Sequence, residues 1–243
     1  MDTPAPCHLL AAVAGAALLL LSWATAIGGE LESIAPPAGR VPTIHLGPRH
    51  LDAAEQGIGR TVPRMRVTTI DGIEADLFET GAAHGTVVVV RDPACPVSQR
   101  YTARITTIAR RYAGNFDFVF TYPATDTGDA DRTADRATIG ATGIFVSRGS
   151  LELAATLGVN STGDTFVIDR DGRLRFRGAI DDQYGIGYTR DAATRHYLRN
   201  ALDALRSGES PRVPATSAPG CYIDADPDHA PPVAPVPGDH LLS

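Results

Sequence analysis

The sequence predicts an α/β fold in which a central mixed β-sheet is flanked by helices. The four consecutive valines from Val87 to Val90 are β-branched and too apolar for a half-exposed strand, so they predict a fully buried, parallel strand. A helical pattern follows that strand at once, as a crossover to a parallel neighbour requires. Two pairs of short β patterns, each joined at an Asp-Gly dipeptide, predict antiparallel hairpins that can extend the sheet at its edge.

The first of these hairpins precedes the valine strand. Its two β patterns, residues 65–70 and 73–77, are separated by Asp71-Gly72, a strong hairpin signal. After the valines, Asp92-Pro93 ends the strand, because proline removes a backbone donor and fixes its own φ. The helix that follows is expected to end at Gly114, and its apolar residues recur at spacings of three or four: Val97, Tyr101, Ile105, Ile108 and Tyr112.

The second half of the fold is predicted to add a strand, two helices, the second hairpin and a final amphipathic helix, at residues 116–122, 126–137, 150–157, 165–177 and 191–205. In the second hairpin, Leu174 and Phe176 are expected to face the core. The alternating arginines, including Arg175 and Arg177, are expected to face solvent.

The composition and charge of the chain argue against several classes of function. Hydrophobic residues make up 43% and charged residues 21% of the 243 positions, which is ordinary for a globular protein. The formal charge of −6 and the lack of a basic run argue against nucleic acid or an anionic membrane as a partner. All 22 basic residues are arginine, which excludes Schiff-base chemistry on lysine and a Walker-type phosphate lysine.

The chain is expected to be exported. An apolar run from Leu9 to Trp23, followed by Ala24-Thr25-Ala26, predicts a signal peptide or an uncleaved N-terminal anchor, the latter being the one expected contact with a membrane. Cleavage would remove Cys7 and leave Cys95 and Cys221 in an oxidising compartment, periplasmic or otherwise extracytoplasmic. The predicted organisation is a leader, a linker or loosely packed arm, one domain, and a proline-rich tail that carries Cys221, at residues 1–26, 27–60, 61–208 and 209–243.

Cys95 is the leading candidate for chemistry because it stands where a strand gives way to a helix. Pro96 suits the first helical position, where its missing N–H does no harm. A sulfur there faces unpaired N–H groups and the positive end of the helix dipole, which stabilise the reactive thiolate. Arg91 and Arg100 flank the cysteine and could add to that effect, although at least one of them is expected to be a surface arginine. A buried, inert cysteine is the alternative, and the Cys-Pro helix context favours the reactive one.

Four stretches in the same order resemble the thioredoxin-like superfamily, and within it the redoxin branch that includes peroxiredoxins (thiol-specific antioxidant-like proteins) and exported thiol–disulfide oxidoreductases. They are Cys95-Pro96-Val97-Ser98 with Tyr101 soon after, the hairpin from Phe166 to Gly172, the run from Gly178 to Tyr184, and Gly220-Cys221. The resemblance implies a three-layer thioredoxin-like fold with an N-terminal β-hairpin. It also implies thiol redox chemistry, for which we expect no cofactor and no metal. Asp181 lies in the third stretch, where an acidic residue is expected in a solvated loop or, as the alternative, could orient groups near the sulfur.

The sequence departs from the family pattern at two places. Ser98 replaces the second cysteine of Cys-x-x-Cys, so it can donate a hydrogen bond to a thiolate but cannot form a disulfide. Gly163 or Asp164 stands where the superfamily usually has a cis-proline beside the active cysteine. The peroxiredoxin signature also fails, because Val88 and Asp92 occupy its proline and Thr/Ser positions.

The leading hypothesis is that the Cys95 thiolate attacks a disulfide or a peroxide and that Cys221 resolves the product. The expected partners are thiols or disulfides of proteins, or a peroxide, together with an unidentified redox partner protein. A static Cys95–Cys221 disulfide is the structural alternative.

Two further alternatives are a copper-chaperone-type binding module and a domain with a purely structural role. The histidines that a copper site would use are His84, His196 and His229, none of which has a diagnostic spacing from Cys95.

Overall fold

The computed structural model describes residues 47–78 and 82–223, all within the unit formed by residues 44–243. The predicted leader, the first part of the arm, the end of the tail and His229 lie outside the described residues. The strands are β1 (Met65–Thr69), β2 (Glu74–Leu77), β3 (Gly85–Val90), β4 (Asp117–Thr121), β5 (Ile144–Arg148), β6 (Thr165–Asp169), β7 (Leu174–Gly178), β8 (Tyr184–Gly185) and β9 (Tyr188–Thr189). The helices are α1 (Pro96–Arg100), α2 (Thr102–Tyr112), α3 (Asp129–Ile139), α4 (Ser150–Leu157) and α5 (Tyr197–Arg206).

Seven of these strands form one mixed sheet in the order β2-β1-β5-β4-β3-β6-β7. The valine strand β3 is buried along its whole length and pairs parallel with β4, as predicted, and antiparallel with β6. The two predicted hairpins, β1–β2 and β6–β7, are confirmed at the two ends of the sheet. The remaining two strands, β8 and β9, form a small separate hairpin.

The sheet divides the core into two layers of side chains. Val87 and Val89 belong to the apolar cluster that includes residues of α1, α2 and α5. Val88 and Val90 point the other way, into the cluster that includes α4. This alternation follows from the two-residue period of a strand. The predicted mixed sheet flanked by helices is therefore confirmed.

The long helix predicted after Cys95 is broken into α1 and α2 at Tyr101. The backbone carbonyl of Ser98 accepts a hydrogen bond from the Arg91 guanidinium just before the break. The Tyr101 hydroxyl is fixed on the far side by Asp181. Tertiary hydrogen bonds therefore divide a segment that has a continuous helical pattern.

The last helix begins at Tyr197, six residues later than the sequence predicts. Asp182 accepts hydrogen bonds from the backbone N–H groups of Thr194 and Arg195 and from the Thr194 hydroxyl. These bonds hold residues 191–196 in a loop. The helix predicted at 126–137 is likewise displaced, to Asp129–Ile139, with the Asp131 carboxylate accepting the backbone N–H of Gly128 at its start.

Two features of the sheet were not predicted correctly. Strand β5 was missed, and it joins β1 to β4 in the sheet. Arg177 was expected to face solvent but is buried, where it donates a hydrogen bond to the Gly158 carbonyl and lies over the ring of Phe166. The other arginine of that strand, Arg175, is partly exposed as expected.

The segments on either side of the domain differ from the predicted loose arm and tail, because described parts of both pair with the edge strand β7 and with each other. Leu174 donates to the carbonyl of Arg60, and Arg177 exchanges backbone hydrogen bonds with Pro214 and Thr216. Leu51 donates to the carbonyl of Ala215. Residues 209–223 are thereby carried back across the domain. None of the helices among the described residues is long and apolar enough to span a membrane.

Candidate active site

Cys95 caps the start of α1, immediately after β3 and the Asp92-Pro93 turn. The turn is closed by two hydrogen bonds to Asp92: its side chain accepts the N–H of Ala94 and its carbonyl accepts the N–H of Cys95. Pro96 takes the first helical position, as predicted. Cys95 is 1% exposed. The local sequence therefore places a buried sulfur at the start of the helix.

Cys221 lies directly against this sulfur. The two Sγ atoms are 2.9 Å apart although 126 positions separate the residues, and both cysteines are free thiols. Cys221 is exposed, in contrast to Cys95. A disulfide bond is about 2.05 Å long, so the sulfurs need to approach by only about 0.9 Å to form one.

Thr162 connects the two cysteines. Its hydroxyl donates to Cys95 Sγ at 3.0 Å and accepts the Cys221 N–H at 2.9 Å, and its own N–H donates to the Cys221 carbonyl at 3.0 Å. The sequence pointed to the same loop but to Gly163 and Asp164, one and two residues further on. The signal that could have identified Thr162 is a hydroxyl side chain at the loop position next to Gly163.

Gly163 and Asp164 support the site without a described contact to the sulfurs. A Cβ atom at Gly163 would lie 1.8 Å from the Pro219 carbonyl oxygen, so glycine is needed for the tail to come this close. The buried Asp164 carboxylate accepts the N–H groups of Asn160 and Ser161, and burial raises its pKa. Together they hold the loop that carries Thr162.

The pKa values of the Cys95 and Cys221 thiols are shifted in opposite directions. Burial alone raises the pKa of Cys95, but hydrogen bonds from the Cys221 thiol, the Thr162 hydroxyl and the Ser98 backbone N–H outweigh it and bring the pKa below the ordinary thiol value. The hydrogen bond to Cys95, burial and the nearby negative charge raise the pKa of Cys221 to about 11. The pKa of Cys95 is therefore lower than that of Cys221, so Cys95 is the first of the pair to lose its proton.

Three predicted support residues contact other groups than the sulfur. The Ser98 hydroxyl accepts a hydrogen bond from the Asp92 N–H. Only the backbone N–H of Ser98 donates to the Cys95 sulfur. Arg91 is buried in an ion pair with Asp135. Arg100 is exposed and donates to the Thr189 hydroxyl. The expectation that the two arginines stabilise the thiolate finds no described contact.

Tyr101 and Asp181 form a second buried group. The Tyr101 hydroxyl donates to Asp181 Oδ1 at 2.8 Å, and Arg104 donates to the other carboxylate oxygen at 2.6 Å. Burial and the Asp181 charge raise the pKa of Tyr101 well above its usual range. The pair joins the α1–α2 break to the chain after β7, and neither residue has a described contact with Cys95.

The histidines considered for copper lie elsewhere. His84 packs against the ring of Phe116, and His196 precedes α5 next to Arg199. Across residues 47–78 and 82–223, no group of three His, Cys, Asp or Glu side chains could hold a metal ion.

No family model and no curated protein matches the chain. Among solved structures, an uncharacterised conserved protein from Geobacillus kaustophilus is 20% identical, with a TM-score of 0.62, over 76% of this chain and 100% of its own. A hypothetical protein from Sinorhizobium meliloti 1021 is 21% identical, with a TM-score of 0.61, over 74% and 97%. Peroxidoxin BcpB from Mycobacterium tuberculosis is 16% identical, with a TM-score of 0.47, over 64% and 99%.

Identities this low indicate similarity of fold alone. In this chain, β3 is followed by the cysteine-bearing helix and the parallel strand β4, and the β6–β7 hairpin lies antiparallel on the other side of β3. This arrangement shows that the chain has the thioredoxin-like fold that the resemblance of the four sequence stretches implies.

Proposed function

We propose that the chain is a thiol oxidoreductase that cycles between free Cys95 and Cys221 and a disulfide between them. The observation that carries the proposal is the 2.9 Å separation of the Cys95 and Cys221 sulfurs. The pKa of Cys95 lies below the ordinary thiol value and that of Cys221 lies above it. A nucleophile needs the thiolate form, and a resolving thiol must lie within reach of the first product. Cys95 and Cys221 meet these two requirements respectively.

Both candidate oxidants give the same end state. With a peroxide, the Cys95 thiolate attacks one oxygen, the O–O bond breaks, and the other oxygen leaves as water or an alcohol. Cys95 becomes a sulfenic acid, and the Cys221 thiol then displaces water from it to form the disulfide. With a disulfide, Cys95 forms a mixed disulfide and releases one thiolate, and Cys221 then displaces the second. A partner thiol protein returns the pair to the reduced state. On the strength of the predicted leader, we place this cycle outside the cytoplasm.

The test is a peptide map of the full chain under non-reducing conditions, before and after a small excess of hydrogen peroxide. We expect a Cys95–Cys221 disulfide that forms on oxidation and disappears with mild reductant. Cys95→Ser should abolish peroxide consumption, whereas Cys221→Ser should leave a sulfenic acid on Cys95. A bond present from the start and resistant to reductant would identify a structural clasp and contradict the proposal.

A further inference from the structure

The two sulfurs of the candidate disulfide differ in accessibility. From this difference we infer that the thiol that reduces the disulfide attacks Cys221, and that Cys95 is the leaving group. The inference rests on the proposed redox cycle and adds the place at which the disulfide is reduced. The reducing partner docks against the C-terminal segment that carries Cys221, rather than on the Cys-Pro helix.

The first argument is access. Cys95 is 1% exposed and is covered by Thr162 and Cys221. Cys221 is exposed, and the next residue, Tyr222, is 67% exposed. Thiol–disulfide exchange requires the attacking sulfur to touch the sulfur that it attacks, so its rate depends on access. Of the two residues, the exposed Cys221 is therefore the more accessible to an external thiolate, and the buried Cys95 lies behind it.

The second argument is the leaving group. The sulfur that leaves must accept the electron pair of the broken S–S bond, and a thiol of lower pKa leaves faster. Hydrogen bonds from the Thr162 hydroxyl and the Ser98 N–H are already aimed at Cys95 Sγ. Attack on Cys221 therefore releases a thiolate toward which two hydrogen-bond donors already point.

The exchange balances with a dithiol as the reductant. The first thiolate of the donor bonds to Cys221 Sγ, and the bond between Cys221 and Cys95 breaks. The electron pair of that bond stays on Cys95, which becomes a thiolate. The second thiol of the donor loses its proton and attacks the donor sulfur of the mixed disulfide. Cys221 leaves and takes up a proton. The donor departs as a disulfide, oxidised by two electrons, and this chain is reduced by two.

The experiment uses the oxidised full chain and glutathione as the probe thiol. A non-reducing peptide map first establishes that the Cys95–Cys221 disulfide is present. Glutathione is then added, the reaction is stopped at low conversion with acid, the free thiols are blocked with N-ethylmaleimide in denaturant, and the chain is mapped by mass spectrometry. We expect glutathione on Cys221 and N-ethylmaleimide on Cys95, with Cys221 preferred by about tenfold or more. Equal labelling, or glutathione mainly on Cys95, overturns the inference.

A variant tests the second argument. Thr162→Val removes both hydrogen bonds of the hydroxyl, the one to Cys95 Sγ and the one from the Cys221 N–H, so the reaction with glutathione should slow while the label stays on Cys221. Thr162→Ser, which keeps the hydroxyl, should restore the rate. If the oxidised chain contains no Cys95–Cys221 disulfide, the proposed function itself fails. If the disulfide is present but is opened at Cys95, only the inference fails.

Discussion

Thr162 hydrogen bonds to both cysteines through a single hydroxyl. This geometry stabilises the charge on Cys95 and places Cys221 at the same time. A hydrogen bond to a charged group contributes about 1.5–3 kcal/mol, and one pKa unit corresponds to about 1.36 kcal/mol. The hydroxyl is therefore strong enough to move the titration of Cys95 by about one unit or more.

The corresponding prediction concerns the pH dependence of the ultraviolet thiolate absorbance of the reduced chain. In the unmodified chain, the first step in this absorbance should lie below the ordinary thiol value, because the pKa of Cys95 is lowered. Thr162→Val should move that step upward by about one pH unit, since the thiolate loses a donor. Thr162→Ser is the matched control and should keep the original step. An unchanged step in Thr162→Val would show that the hydroxyl does not stabilise the thiolate.

At the scale of elements, a buried ion pair fixes the helix that carries Cys95. Arg91, at the end of β3, binds Asp135 of α3 through two hydrogen bonds and also donates to the Ser98 carbonyl of α1. Tyr122, beyond the end of β4, donates to the same carboxylate. These contacts tie two strand ends and two helices together beneath the site. Arg91 therefore positions α1, which is a different role from the thiolate partner expected from the sequence.

Replacing Arg91 should destabilise the fold. Arg91→Met leaves the Asp135 carboxylate buried without its cation, and breaking a buried pair in this way costs about 3–5 kcal/mol. Arg136→Met is the matched control, because Arg136 pairs with Asp71 on the surface and exposed pairs contribute about 0–1 kcal/mol. Urea unfolding of the two variants measures the difference. Similar, small losses in both would contradict a positioning role for Arg91.

At the scale of the whole molecule, the site depends on how the C-terminal segment returns to the domain. Backbone pairing with β7 brings residues 214–216 back across the sheet, and residues 221–223 then pair with 160–162. Between these two contacts, the Pro219 carbonyl occupies the space that a side chain at Gly163 would need. The 2.9 Å separation of the sulfurs is thus set by the path of the segment over the domain.

Gly163→Ala tests this dependence. The added Cβ would lie 1.8 Å from the Pro219 oxygen, so the C-terminal segment must move and carry Cys221 away from Cys95. A misplacement of about 1 Å can slow a reaction by about a hundredfold. We expect that loss in the rate of Cys95–Cys221 disulfide formation after peroxide, followed by quenched peptide mapping.

The control for that variant is Gly208→Ala. No heavy atom of the described chain lies within 4 Å of a Cβ there, although φ is +78°, so the change strains the backbone without displacing the C-terminal segment. Disulfide formation should proceed at the original rate in this control. A Gly163→Ala chain that forms the disulfide as fast as the control would rule out the proposed close approach.

The sequence by itself determined the parts of this protein that depend on local pattern. The run of valines, the Asp-Gly turns and the Cys-Pro helix start each constrain a few neighbouring residues, and they predicted the buried strand, both hairpins and the position of Cys95. Cys221 was suggested as a partner because few cysteines were available, a prediction that the 2.9 Å contact supports and that only the redox experiments can test.

Tertiary structure decided what depends on residues distant in the chain. The hydroxyl contact of Thr162 with Cys95 spans 67 positions, and the pairing of Arg91 with Asp135 spans 44. No periodicity or spacing records such contacts, which is why the side chains of Arg91 and Ser98 were considered as partners of the sulfur and Thr162 was missed. The break at Tyr101 and the late start of α5 have the same cause, because tertiary hydrogen bonds to Ser98, Asp181 and Asp182 override local helical preference.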